Sequence, residues 1–155
     1  MHAIVGDMAE QGTGAQVAAA IAELLRRRTR EGIYAELTEG LDPAVDTTTY
    51  PVLSALARWG PRSAAALATE IGLDRSVTSR HATRLEQAEL VWRAPDPGDA
   101  RATLLGLTDR GERAVEVMRE RLADRLDRHL AAWPEDQARA FAAALTRFVG
   151  EKPFG

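Results

Sequence analysis

The sequence contains no cysteine, and only one of its 20 basic residues, Lys152, is a lysine. Without cysteine there can be no disulfide and no thiol switch. No apolar run approaches the length of a membrane span, and the first residues lack the basic and apolar regions of a signal peptide. A soluble, cytoplasmic protein is the expectation. Histidine is scarce too: His2, His81 and His129 stand alone, without metal-ligand spacing or a carboxylate cluster beside them. Neither a glycine-rich phosphate loop nor a nucleophile elbow occurs. No cofactor and no metal is expected, and an enzyme would need a site assembled from residues far apart in the chain.

What is present suits a packed domain. Hydrophobic residues make up 45% of 155 positions, enough for one core, or one core plus an oligomerisation module. The net charge of −3 argues against a general nucleic-acid coat but leaves room for a local positive surface. From Arg58 to Arg101 seven arginines face six acids, so the segment is near neutral and its positive charge concentrates on one helix. The preference for arginine over lysine fits genome composition as readily as function.

That helix belongs to the stretch 63–85, which reads as two short helices joined by a tight turn. Ser63 can cap the first helix, and Leu67, Ala68 and Ile71 share one of its faces. Gly72 falls where a helix end needs a left-handed residue, Leu73 fills the corner, and Asp74 can cap the second helix. This is a helix-turn-helix pattern. On the second helix Val77, Thr78, His81, Ala82 and Leu85 face inward, which makes His81 a packed structural residue. Ser76, Ser79, Arg80 and Thr83 face outward, flanked by Arg75 and Arg84, and no acid occurs from Arg75 through Leu85. Arginine forks onto guanine edges or phosphate, and hydroxyls contact either, so this face is suited to reading DNA.

The surrounding segments fall into order. Residues 1–13 read as a flexible tail. A long helix from about Ala15 to Glu39 carries Val17, Ala18, Ile21, Leu24 and Leu25 on one stripe, with Arg26, Arg27, Arg28 and Arg30 as solvated surface beside it. Residues 14–45 form the N-terminal part of a dimerisation region. A winged helix-turn-helix domain follows over 46–107. Its first helix is capped by Thr48, has Pro51 in its first turn, and buries Tyr50, Leu53, Leu56 and Ala57. Strands at 90–94 and 101–107, with the turn formers 95–100 between them, make a β-hairpin. A hairpin after a helix-turn-helix is a wing, and Arg101 near its tip suits a minor groove, with Asp99 placed to hold the guanidinium. Two closing helices span 108–150, before a short tail at 151–155. Val115, Met118, Leu122, Leu126, Leu130 and Trp133 line the first, and Ala138, Phe141, Ala142, Leu145, Phe148 and Val149 the second. These stripes exceed what a small winged core needs and point to a helical homodimer interface.

With these residues in place, the chain resembles the MarR family of bacterial transcription regulators over nearly its whole length. The stretches that carry the resemblance are Leu73 through Glu86, Leu90-Val91, Asp96 through Arg101, and Leu107 through Gly111. The resemblance implies a mainly α protein with a small β-wing, whose homodimer sets two recognition helices in successive major grooves of a palindromic operator. It also implies a cleft for a small aromatic or phenolic effector that lowers DNA affinity and hence relieves repression. Tyr50 and Trp59 are the candidate ligand residues. Two features depart from the family or narrow it: Glu89 stands where members usually carry glycine, and the absence of cysteine excludes the peroxide-sensing branch. A protein-binding module using the same fold is the rival reading. It would favour apolar anchors on the outward face of helix 75–85, and that face has none.

Overall fold

The computed structural model describes residues 12–153, so most of the tail expected at 1–13 and the end of that expected at 151–155 lie outside the described residues. The described chain is mainly helical with a three-stranded antiparallel sheet. The elements are α1 (Thr13–Leu25), α2 (Arg27–Thr38), α3 (Tyr50–Trp59), β1 (Arg62–Ser63), α4 (Ala64–Ile71), α5 (Arg75–Gln87), β2 (Val91–Asp96), β3 (Asp99–Leu107), α6 (Asp109–Leu130) and α7 (Glu135–Gly150). They form two compact units, one ending at Val115 and one beginning at Glu116.

The long first helix expected from Ala15 to Glu39 is two helices. Arg26 leaves the helical region (φ −56°, ψ 135°), and its amide bonds back to Glu23 O. The break falls at the arginine run, not at Gly32. A continuous helix would stack Arg26 and Arg30 as a like-charged i, i+4 pair, which disfavours it there. Helix α3 starts at Tyr50 with Pro51 in its first turn, but Thr48 is not its cap. Thr49 is the N-cap residue, without a side-chain cap bond, and the Asp46 carboxylate holds the turn before it, accepting from the Thr48 amide (2.8 Å), the Thr49 amide (3.1 Å) and the Thr48 hydroxyl (2.7 Å). The buried Thr49 hydroxyl donates to Ala44 O at 2.7 Å, which locks the preceding loop. Capping competes between neighbouring hydroxyls and carboxylates, and the carboxylate can satisfy more amides at once.

The first unit packs around Leu37, Val52, Leu53, Leu56, Leu67, Leu85, Leu90 and Leu105, all buried. Of the apolar stripe expected on α3, Leu53 and Leu56 are fully buried, while Tyr50 and Ala57 are only half-buried. The sheet contains a strand not expected from the sequence: β1 pairs with β3, Arg62 opposite Leu105 and Ser63 opposite Leu104. Two residues carry no periodic signal. The hairpin is longer than expected, its strands running from Val91 to Leu107 around a turn at Pro97-Gly98. Trp92 lies opposite Gly106, where a Cβ would sit 2.2 Å from the indole, so only glycine fits beneath that ring.

Glu89 does adopt the left-handed region, at φ 58°. A side chain there costs on the order of 1 kcal/mol. The strain sits beside a well-bonded joint. The Thr108 hydroxyl donates to Glu89 O at 2.6 Å, the Thr108 amide to Leu90 O at 3.1 Å, and the Gly111 amide to the Thr108 hydroxyl at 3.1 Å. A Cβ on Gly111 would lie 2.0 Å from Leu90 O. The Leu-Thr-x-x-Gly spacing is therefore the geometry by which α6 starts against the wing.

In the second unit Trp133 packs on Phe141 with centroids 5.4 Å apart, and His129 meets Trp133 edge-on at 6.3 Å. Much of the apolar stripe is exposed: Phe141 43%, Leu145 48%, Val149 57%. Helix α1 of the first unit is exposed in the same manner, with Leu25 at 61%. Pro134 serves as the N-cap residue of α7.

Candidate nucleic-acid interface and effector cleft

The helix-turn-helix is built as its sequence suggests. Ser63 Oγ accepts from the Ala66 amide at 3.2 Å, Gly72 is left-handed (φ 66°, ψ 34°), and the Leu73 amide closes onto Ala68 O at 3.0 Å. Asp74 caps α5 through the Ser76 amide at 2.7 Å, and the Ser76 hydroxyl together with that amide holds its carboxyl below the usual carboxylate range. Leu73 is exposed and borders a cleft described below; it does not fill the corner between the helices.

Helix α5 has the two faces its periodicity implies. Thr78, Ala82 and Leu85 are buried, while Arg75, Ser76, Arg80 and Thr83 are exposed and Ser79 is half-exposed. Arg84 lies differently from its neighbours. It reaches inward, donating from Nη1 to Asp46 Oδ2 at 2.6 Å and from Nη2 to Pro43 O. Burial works against the charged form of Asp46, but the donors from Thr48, Arg84 and the Thr49 amide outweigh it and hold the carboxyl well below its usual range. Arg84 thus ties α5 to the loop before α3.

Arg93 of β2 was missed by sequence reasoning. Its Nε donates to Glu86 Oε2 at 2.6 Å and its Nη2 to Thr83 Oγ1 at 2.8 Å, bracing the wing strand against α5. Thr83 also donates to Ser79 O at 3.0 Å, so its hydroxyl is partly engaged. At the wing, Arg101 is exposed, and Asp99 Oδ1 accepts from its backbone amide at 2.9 Å. Asp99 therefore shapes the turn through the backbone, and no bond to the guanidinium forms among the described residues.

A cleft of about 490 Å³ lies within the first unit, walled by α2, α3 and the helix-turn-helix. Both candidate ligand residues line it. Tyr50 stacks on Tyr34 with centroids 4.3 Å apart and planes at 29°, and Trp59 has the guanidinium of Arg58 at 5.3 Å from its ring centroid. Arg62 lies over the same indole at 6.0 Å. Arg27, bonded to Glu31 at 2.7 Å, and Arg30 also border the cleft, although sequence reasoning placed the arginine run on plain surface. So does His81, whose position on the inner side of α5 suggested core packing. Burial, aided by Arg80 and Arg84 and opposed by Asp46, holds its imidazole below its ordinary value.

Comparison with known proteins agrees with this geometry. The model of the MarR family matches residues 47–103. Through this winged helix-turn-helix segment, the chain is similar to the MarR family. Among curated relatives, the HTH-type transcriptional regulator YxaD of Bacillus subtilis is 29% identical over 118 residues, 76% of this chain and 82% of that protein. Among solved structures, RV1404 from Mycobacterium tuberculosis is 27% identical with a TM-score of 0.68, covering 94% of this chain and 97% of that one. The transcriptional regulator PcaV from Streptomyces coelicolor, solved in complex with its natural ligand, is 27% identical with a TM-score of 0.57, covering 85% and 94%. YxaD and PcaV are both named as transcriptional regulators. No helix among the described residues is long and apolar enough to cross a membrane.

Proposed function

We propose that the protein is a sequence-specific, ligand-responsive repressor that binds a palindromic operator as a homodimer. The observation that carries this reading is the exposed face of α5, where Arg75, Ser76, Ser79, Arg80 and Thr83 face outward with no acid from Arg75 through Leu85. Arg80 serves base edges in the major groove, Arg75 and the hydroxyls fix register on phosphates, and Arg101 of the wing enters the minor groove. Arg84, tied to Asp46, positions the helix instead of contacting bases. The exposed apolar faces of α1 and α7 require cover, and a second copy of the chain supplies it. The segments 14–45 and 108–150 then serve dimerisation and 46–107 serves DNA. Two recognition helices so related read half-sites about one helical turn, roughly 10 base pairs, apart.

The cleft is the effector site. Tyr34, Tyr50 and Trp59 offer aromatic faces, and Arg30 and Arg58 offer charge, which together suit a small aromatic anion. Such a ligand lowers DNA affinity by favouring an arrangement of the dimer that does not match the operator. Selection of tight binders from random duplex DNA, with Arg80→Ala run in parallel, tests the reading. Enrichment of a palindrome by the wild type alone supports it, and failure of the folded dimer to enrich any sequence at low salt sinks it.

A further inference from the structure

His81 is the one residue that the recognition helix α5 contributes to the wall of the cleft. Its ring is half-buried, and neither ring nitrogen bonds to another described residue. The His81 nitrogens are not among the buried unpaired polar atoms, so they reach solvent at the cleft wall and are open to a ligand there. The charged groups around it come from every side. Asp46, in the loop before α3, favours the proton, while Arg80 and Arg84 on the same helix oppose it. Arg30 and Arg58 add positive charge along the cleft, and Arg27 is held by Glu31. Burial and the neighbouring arginines favour the uncharged ring.

An anion in the cleft reverses that balance. A carboxylate against the ring stabilises imidazolium, which then donates a charge-assisted hydrogen bond to it. We propose that His81 reads the ligand on behalf of the recognition helix: an aromatic anion entering the cleft is held by the His81 imidazolium and takes up one proton from solvent as it binds. This rests on the effector cleft proposed above and adds to it a residue and a pH dependence.

The sign follows from linkage. The ring gains proton affinity in the complex, so ligand affinity is greatest below the pKa of the free protein. It weakens by up to about tenfold per pH unit between the free and bound values, and is level above both. Benzoate and salicylate serve as probes. Their dissociation constants and proton uptake are measured by calorimetry from about pH 5.5 to about pH 8.5, which spans imidazole titration. The ring protons of His81 are followed by NMR in the same range.

The expected result is uptake approaching one proton per probe bound, a several-fold loss of affinity as pH rises, and a higher His81 pKa in the complex. His81→Gln, shown to be folded by circular dichroism, should bind the probes with no such pH dependence. Binding of equal strength across the range, or a pH dependence that survives in His81→Gln, overturns the assignment while leaving the cleft intact. Should His81→Gln not fold, a His81 titration in the wild type that is unmoved by saturating benzoate overturns it alone. Failure of both probes to bind at about millimolar concentration, in protein that still selects an operator, removes the cleft reading and this proposal together.

Discussion

Arg84 donates to Asp46 across 38 residues of sequence, at 2.6 Å, and the same carboxylate accepts from the Thr48 and Thr49 amides in the turn before α3. One side chain thus holds the turn that leads into α3 and anchors the recognition helix. Both partners are partly exposed, about 40% at each side chain, so the ion pair itself is worth less than its length suggests. Its bonds to the turn amides add roughly 1 kcal/mol. Asp46→Ala should therefore destabilise the fold by about 1–2 kcal/mol, read by urea denaturation.

The same carboxylate predicts a pH signature. Its folded-state pKa lies below its unfolded value, so its contribution is fully present above the unfolded value, about pH 4, and is lost as pH falls through the folded one. The stability gap between wild type and Asp46→Asn should be constant near neutral pH and narrow on acidification below about pH 5. A gap that widens there would contradict the assignment.

Gly106 gives a test of packing in the wing. A methyl at this position meets the Trp92 indole, so Gly106→Ala should cost about 1–3 kcal/mol. Trp92→Ala in the same chain should recover part of that loss, giving a double-mutant cycle with a clear interaction energy. Simple additivity of the two changes would count against the contact.

Glu89 offers a stabilising change. Glycine pays no side-chain penalty at φ 58°, and the Glu89–Arg110 pair is 3.9 Å long with Glu89 86% exposed, so little is lost with the carboxylate. Glu89→Gly should raise stability by roughly 0.5–1 kcal/mol, seen as a higher midpoint in denaturant.

The two arginines assigned to DNA should differ in kind. Arg80→Ala removes base readout, so affinity for the selected operator should fall by about 1–3 kcal/mol and selectivity should relax. Arg101→Ala should weaken binding more evenly across sequences and reduce the salt slope by about one. Competition assays at several salt concentrations separate the two outcomes.

The features legible in the sequence were the local ones. Ser63, Gly72 and Asp74 mark helix ends through bonds to residues two to four positions away, and a short window contains them. The faces of α5 follow from its period alone. The strand β1 was invisible because two residues have no period and their partners lie 43 and 41 residues on. The break at Arg26 was masked because the apolar stripe runs up to Leu25 and no glycine or proline marks the join. In the candidate site, Arg84 looked like its neighbours because nothing nearby in sequence reveals the carboxylate that draws it inward. His81 sat correctly on the inner side of α5, but periodicity cannot tell a helix face packed against protein from one that borders a cleft.

The brace from Arg93 to Glu86 and Thr83 has a consequence for how DNA would be read. It fixes the wing strand to the recognition helix, so the separation between the two is set within the protein. Under the proposed docking, DNA must bring its grooves to that separation, and duplexes differ in the energy needed to comply. Operators would then be ranked partly by stiffness and groove width, including at base pairs that no side chain touches.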